Sequence, residues 1–222
     1  MMDALDRLAP VARQLLAEVD STLATLGAPA THPVWRALGS VAATPAAVVR
    51  SVAELRPALL RAAATGLREQ AQSYAQASAP TDQYWAGAAA THFAATASAL
   101  REHLAGDRPE SLAGRLRDQA SCLDNLADWQ QALRDDVARA LGTVISSRQA
   151  ATLRSPPVRG GGPDALAAVL AAADIAVVLL AVVEDAVVAG REVLRTIPAD
   201  ELPFQPPIPS DPLAHGGTIR LA

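Results

Sequence analysis

The sequence has little cysteine and few aromatic residues, and it has no lysine. Its one cysteine, Cys122, excludes an intramolecular disulfide framework and a zinc site built from several cysteines. Aromatic residues make up 3% of the chain, whereas 51 of its 222 residues are alanine. Because sheets favour β-branched and aromatic side chains while closely packed helices accommodate alanine, this composition predicts an all-α fold and excludes an all-β one.

The charge of the chain is nearly balanced. Nineteen arginines and 23 acidic residues give a formal net charge of −4, and no block of basic residues could neutralise a row of phosphates. This pattern disfavours nucleic-acid binding. Residues 1–11 lack the basic start and the apolar core of a secretory signal peptide, so export of the protein would require another route.

Residues that could form a catalytic or metal site are sparse. The four histidines lack H-E-x-x-H spacing, and the sequence contains no nucleophile elbow, phosphate-binding loop or dinucleotide-binding fingerprint. His92 and His103 share one face of a predicted helix but lie about 16 Å apart along it, too far to share a metal ion. We therefore expect a non-enzymatic protein with no cofactor and no metal site. An enzyme whose polar residues converge only in three dimensions is the alternative.

Apolar residues at steps of three and four predict an elongated antiparallel bundle of about five helices. The predicted helices cover residues 10–26, 45–77, 88–104, 112–153 and 164–195. Pro10 sets the start of the first helix, because proline is tolerated only near a first turn. Pro57 predicts a kink or break near Glu54 in the second helix. Residues 27–45 contain too many prolines and glycines for a helix and are predicted to form an ordered connector.

The predicted organisation has four parts. A helical bundle occupies residues 1–154, a linker rich in proline and glycine residues 155–163, an amphipathic helix residues 164–195, and a proline-rich disordered tail residues 196–222. The amphipathic helix is long and apolar enough to raise the question of a membrane span. However, its charged residues from Asp174 onward lie within an arc of about 120°. This pattern favours docking on the bundle over insertion into a membrane.

Tyr84, Trp85 and Gly87 lie in the short segment between the second and third predicted helices. A short connection between two long helices predicts a helix-turn-helix hairpin. A tryptophan at such a turn can cover the end of the bundle core or contact another molecule, and a glycine after it lets the backbone turn. These three residues are therefore the candidate recognition site.

Trp85-Ala-Gly87, followed by the alanine-rich stretch Ala88 to Phe93, resembles the W-x-G hairpin of the ESX family, the helical substrates of type VII secretion in actinobacteria and related bacteria. A W-x-G motif after an N-terminal helix is also similar to that of the PPE-type subgroup. The later helices resemble those of longer actinobacterial members. The likeness covers residues 46–154 best and the rest of the chain by architecture.

The sequence departs from the family pattern in its export signal. Family members commonly carry Y-x-x-x-[DE] after a helical hairpin, but Tyr74 is followed four residues later by Ser78, and Tyr84 by Ala88. The Pro-Pro-Glu start of PPE proteins is also missing from this sequence. Export through the family's route would therefore need a partner that supplies the signal.

The resemblance implies a non-enzymatic interaction protein of a type VII secretion pathway, acting as a secreted substrate, a partner or a delivery module. Trp85 and Gly87 correspond to family residues, and Tyr84 is their neighbour. The implied partner is another helical-hairpin protein, a secretion ATPase or chaperone, or a second copy. The protein would be secreted or at the cell surface, or cytoplasmic if it is not exported. A cytoplasmic scaffold or regulator, in which Trp85 only seals the bundle, is the alternative.

Overall fold

The computed structural model describes residues 3–77, 87–106, 108–155 and 162–196, and these residues contain eight α-helices and no strand. The prediction of an all-α fold is therefore confirmed. The helices are α1 (Ala4–Leu26), α2 (Val34–Val41), α3 (Pro45–Glu54), α4 (Pro57–Ala77), α5 (Ala88–Ala105), α6 (Leu112–Ile145), α7 (Arg148–Arg154) and α8 (Pro163–Arg195). Residues 78–86, which contain the predicted turn, residues 156–161 of the predicted linker and the predicted tail from residue 197 lie outside the described residues.

The eight helices exceed the predicted five because three segments differ from their sequence pattern. α2 forms inside the predicted connector. The second predicted helix is divided into α3 and α4 between Leu55 and Arg56, which is where Pro57 predicts a break. The fourth predicted helix is divided into α6 and α7, because the Ser147 hydroxyl accepts a hydrogen bond from the Ala150 N–H and starts a new helix.

The first helix starts earlier than predicted. α1 begins at Ala4, where the Asp3 carboxylate accepts a hydrogen bond from the Asp6 N–H at 2.9 Å and the Asp6 carboxylate accepts one from the Asp3 N–H at 3.3 Å. This capping box satisfies N–H groups that a helix start leaves unpaired. Pro10 therefore lies inside α1 rather than at its start, and it removes the hydrogen bond that the Asp6 carbonyl would accept in a regular helix.

The described residues fall into two compact units. The first unit contains α1, α2, α3, α7 and α8, together with the beginning of α4 and most of α6. The second contains α5, the remainder of α4 and the beginning of α6. Each unit is described separately below.

The first unit is built around α8, which packs against α1, α2, α3 and α7. Ile175, Leu179 and Leu180 of α8 are almost completely buried. Burying an aliphatic side chain of this size stabilises a fold by about 1.5–3 kcal/mol, so this core contributes strongly to stability. Among the described residues, α8 is the one helix long and apolar enough to cross a membrane by length and composition, and half of its most apolar stretch is buried inside the structure.

The second unit buries much less. None of the 18 residues of α5 is buried. The buried side chains of this unit are mainly alanines spaced seven residues apart: Ala64 and Ala71 on α4, and Ala113 and Ala120 on α6. An isolated helix of this length is only marginally stable in water, and α5 has no buried side chain that would add packing stabilisation of the kind α8 has.

Candidate functional site

Of the three predicted recognition residues, the structure describes Gly87, whereas Tyr84 and Trp85 lie outside the described residues. Gly87 is the N-terminal cap of α5, with φ 108° and ψ 176°. A positive φ of this size strongly favours glycine. A Cβ added to Gly87 would meet no atom within 4 Å. The backbone conformation, rather than a lack of space, therefore requires glycine at this position.

The carbonyl of Gly87 anchors the first turn of α5. It accepts a hydrogen bond from the Thr91 N–H at 3.1 Å and another from the Thr91 hydroxyl at 3.3 Å. Because glycine has no side chain, no side-chain hydrogen bond caps the start of α5. Gly87 thus fixes the direction in which the chain enters α5, two residues after Trp85.

The α5 helix presents an apolar stripe to solvent, which we call the α5 surface and define as Ala89, Phe93, Thr96 and Leu100. These residues follow one another at steps of three and four and are all exposed. Phe93 is 47% exposed and Leu100 is 42% exposed. Residues 88–100 contain no acidic residue and no arginine. The α5 surface is therefore an uncharged apolar helix face.

The two histidines of α5 do not form a metal site with other described residues. His92 is exposed and His103 is half-buried. Within residues 3–77, 87–106, 108–155 and 162–196, no group of three or more histidine, cysteine, aspartate or glutamate side chains is arranged to hold a metal ion.

A close contact between Trp129 of α6 and Gly190 of α8 was not predicted from the sequence. The indole Nε1 of Trp129 donates a hydrogen bond to the Ala186 carbonyl at 2.8 Å. A Cβ on Gly190 would lie 2.8 Å from both Cε2 and Cζ2 of the indole. Glycine is therefore required at position 190, because any side chain would collide with the ring. Gly190 is the only glycine in the sequence between Pro163 and Arg195, and this was the one sequence signal of a close contact there.

Arg134 of α6 forms a second unpredicted cluster. Its guanidinium, 4% exposed, donates hydrogen bonds at 2.7 Å to the carboxylates of both Asp3 and Asp6. It also donates to the carbonyls of Val52, Ala53 and Leu55 at 2.9–3.1 Å. One side chain thereby joins the N-terminal end of α1 and the C-terminal end of α3 to α6.

The electrostatics of the Arg134 cluster are mutually stabilising. The hydrogen bond from Arg134 lowers the pKa of Asp3, an effect that burial of the carboxyl partly opposes. The hydrogen bond to Asp3 likewise raises the pKa of Arg134 above its ordinary value. Both groups are therefore charged at neutral pH. The partners are all in the same chain, so the cluster serves the fold and offers no free group for chemistry.

The connector that was predicted from residues 27–45 is ordered by local hydrogen bonds. The Trp35 indole donates to the Pro29 carbonyl at 3.1 Å and remains 43% exposed. His32 Nδ1 accepts from the Val34 N–H at 3.2 Å, and its Nε2 lies 3.5 Å from the Asp174 carboxylate of α8. These contacts hold α2 against α8.

Comparison with known protein families, with curated proteins and with solved structures finds no match to this chain. The resemblance to the ESX family therefore depends on Trp85, Gly87 and the helical pattern around them.

Proposed function

We propose that this chain is a non-enzymatic interaction protein that binds another helical protein through the α5 surface and the Trp85-Ala-Gly87 turn before it. The proposed setting is a type VII (ESX-like) secretion pathway, in which the chain acts as a substrate, a partner or a delivery module. The observation that carries the proposal is the absence of any buried residue along α5. A helix with this little support from its own chain gains stability when a partner covers its apolar face.

The α5 surface has the chemistry of a helix-binding face. Phe93 and Leu100 provide two large apolar anchors, while Ala89 and Thr96 are small enough to let a partner helix approach closely. At about 25 cal/mol per Å² of apolar area, covering two such anchors contributes a few kcal/mol. The lack of charge on residues 88–100 means that no ionic group needs to be desolvated.

The Trp85 turn would add recognition by shape. Trp85 precedes Gly87, the N-terminal cap of α5, by two residues in the sequence, and we propose that a partner that covers the first turn of α5 also contacts this tryptophan. Buried tryptophans are among the side chains that contribute most to binding at protein interfaces. A partner that carries Y-x-x-x-[DE] would supply the export signal that is missing from this sequence.

The test is co-expression of the full chain with each helical-hairpin protein encoded beside it, followed by co-purification and measurement of the dissociation constant. We expect Trp85→Ala and Phe93→Ser each to weaken binding about tenfold or more, with helix content unchanged. Leu59→Ser is the matched control for Phe93→Ser, because Leu59 of α4 is 68% exposed and lies outside the α5 surface. Trp35→Ala is the control for Trp85→Ala, because Trp35 is an exposed tryptophan in the first unit.

The same variants separate the proposal from the scaffold alternative. If Trp85→Ala leaves binding intact but lowers the free energy of unfolding, the tryptophan only seals the bundle and the recognition role is wrong. If Leu59→Ser weakens binding as much as Phe93→Ser, the α5 surface is not the site.

A further inference from the structure

A groove runs along the surface of the first unit between α1 and α3. Its volume is about 500 Å³, and it is partly open to solvent. Its apolar lining consists of Ala9, Pro10, Leu16 and Ala17 of α1, and of Ala46, Val49 and Ala53 of α3. Along α1 the groove extends from Asp6 to Ala17, which is about 16 Å at 1.5 Å per residue. It therefore has the length of three turns of a helix.

Two arginines line this groove and have no partner among the described residues. Arg13 of α1 and Arg50 of α3 are both exposed, and neither makes a hydrogen bond or an ion pair with any other described residue. Asp6, which also lines the groove, is already held by Arg134 at 2.7 Å. The groove thus combines an apolar floor with two available positive charges. Its complement is an apolar helix face that carries a carboxylate.

The outward face of α8 has this composition. Val178, Ala181, Asp185 and Val188 follow one another at steps of three and four, and all four are exposed. Val178 is 43% exposed and Val188 is 63% exposed. Asp185 makes no hydrogen bond or ion pair within the part of the chain that the structure describes. We call these four residues the α8 stripe, and their span is about 15 Å at the rise of an α-helix.

We infer that a second copy of this chain binds in the groove, with the α8 stripe of one copy lying along α1 and α3 of the other and Asp185 pairing with Arg13 and Arg50. The equal lengths, the small side chains of the groove and the opposite charges support this arrangement. The groove and the stripe both belong to the first unit. The inference is therefore independent of the proposed role of α5 and Trp85.

The two surfaces differ, so the contact is heterologous. Two copies form a closed dimer if the stripe of each lies in the groove of the other. Otherwise the contact repeats from copy to copy and gives larger oligomers. In both cases the average mass of the full chain should rise above 22.9 kDa with concentration. Added salt should weaken the association, because exposed charges take part in it.

The experiment is sedimentation or light scattering of the full chain over a wide range of concentration. We expect Asp185→Arg, and separately Arg13→Glu with Arg50→Glu, to weaken self-association about tenfold or more, since each places like charges opposite one another. An equimolar mixture of these two variants should associate again, because the substituted stripe of one then faces the substituted groove of the other. Arg7→Glu is the matched control, since Arg7 is exposed on α1 and does not line the groove.

A cross-linking measurement tests the contact without changing its charges. Ala17→Cys combined with Ala181→Cys, in a Cys122→Ser background, should form a disulfide between copies under mild oxidation. Ala151→Cys in place of Ala17→Cys should not, because Ala151 of α7 is exposed but does not line the groove. A chain that stays monomeric at every concentration, or a mixture of charge variants that associates no better than either variant alone, would overturn the inference.

Discussion

Gly190→Ala is a small substitution that the structure predicts to be unusually costly. Gly190 lies in α8 beneath the indole of Trp129, and a Cβ at this position would be 2.8 Å from two ring atoms and 3.1 Å from Nε1. Contacts this short require the ring or the helix to move. The indole is also hydrogen-bonded to the Ala186 carbonyl at 2.8 Å, so a displaced ring loses that bond.

The expected magnitude follows from three terms. Replacing glycine by alanine inside a helix stabilises it by about 1 kcal/mol. Overpacking costs about 1–3 kcal/mol, and a lost hydrogen bond costs about 1 kcal/mol. Gly190→Ala should therefore lower the free energy of unfolding by about 1–3 kcal/mol. Gly142→Ala, on α6 where a Cβ meets nothing within 4 Å, should instead raise it by about 0.5–1 kcal/mol.

The assay is urea unfolding followed by helix circular dichroism, with Gly142→Ala as the matched control. Trp129→Phe removes the clashing part of the ring, so the cost of Gly190→Ala should be smaller in that background. The double-mutant cycle should give a favourable coupling of about 1 kcal/mol or more. If Gly190→Ala is as stable as Gly142→Ala, or if the two substitutions are additive, the contact between Trp129 and Gly190 does not exist as described.

Three further predictions concern the Arg134 cluster and the start of α5. Arg134→Met should cost about 2–4 kcal/mol in urea unfolding, because it removes the cation that pairs with the carboxylates of Asp3 and Asp6, whereas the exposed Arg139→Met should cost less than about 1 kcal/mol. Asp3→Asn should reduce stability at neutral pH. The lowered pKa of Asp3 stabilises the fold at any pH above the ordinary pKa of an aspartate, and this stabilisation is lost as the carboxylate is protonated. The difference from wild type in thermal melts should therefore vanish as the pH falls below about 4. Equal loss at every pH would contradict this. Gly87→Ala should reduce the amide protection of α5, measured by hydrogen exchange, by about 1 kcal/mol or more because of its positive φ, while Gly66→Ala should not.

The sequence predicts the helices correctly where an apolar stripe and a cap agree. The start of the second predicted helix at residue 45, where Thr44 is the N-terminal cap, and the break before Pro57 coincide with the structure, and α8 starts within one residue of its predicted position. The predicted start of α1 at Pro10 is wrong, because the capping box formed by Asp3 and Asp6 starts the helix at Ala4.

The tertiary contacts were the part that the sequence could not supply, although the position of Arg134 was one signal. Arg134 belongs to a series of buried residues that are spaced seven apart along α6: Ala113, Ala120, Ala127, Arg134 and Leu141. An arginine in such a series is expected only where it finds partners inside the protein. The partners themselves lie more than 75 residues away in the sequence, so periodicity could not identify them. Of the recognition site, the W-x-G pattern indicated the special backbone of Gly87 but not that the helix after it has no buried residue.

The difference in packing between the two units gives the proposed function a thermodynamic consequence. The first unit derives its stability from the buried face of α8, whereas α5 has no buried residue. Segments with few buried contacts open at low free energy, and such segments commonly form binding surfaces. A partner that binds only the ordered form of α5 stabilises that form. Conversely, ordering α5 in advance strengthens binding by the same free energy. Substitutions that raise the helicity of α5 without touching the α5 surface should therefore tighten binding, and they should leave the unfolding of the first unit unchanged.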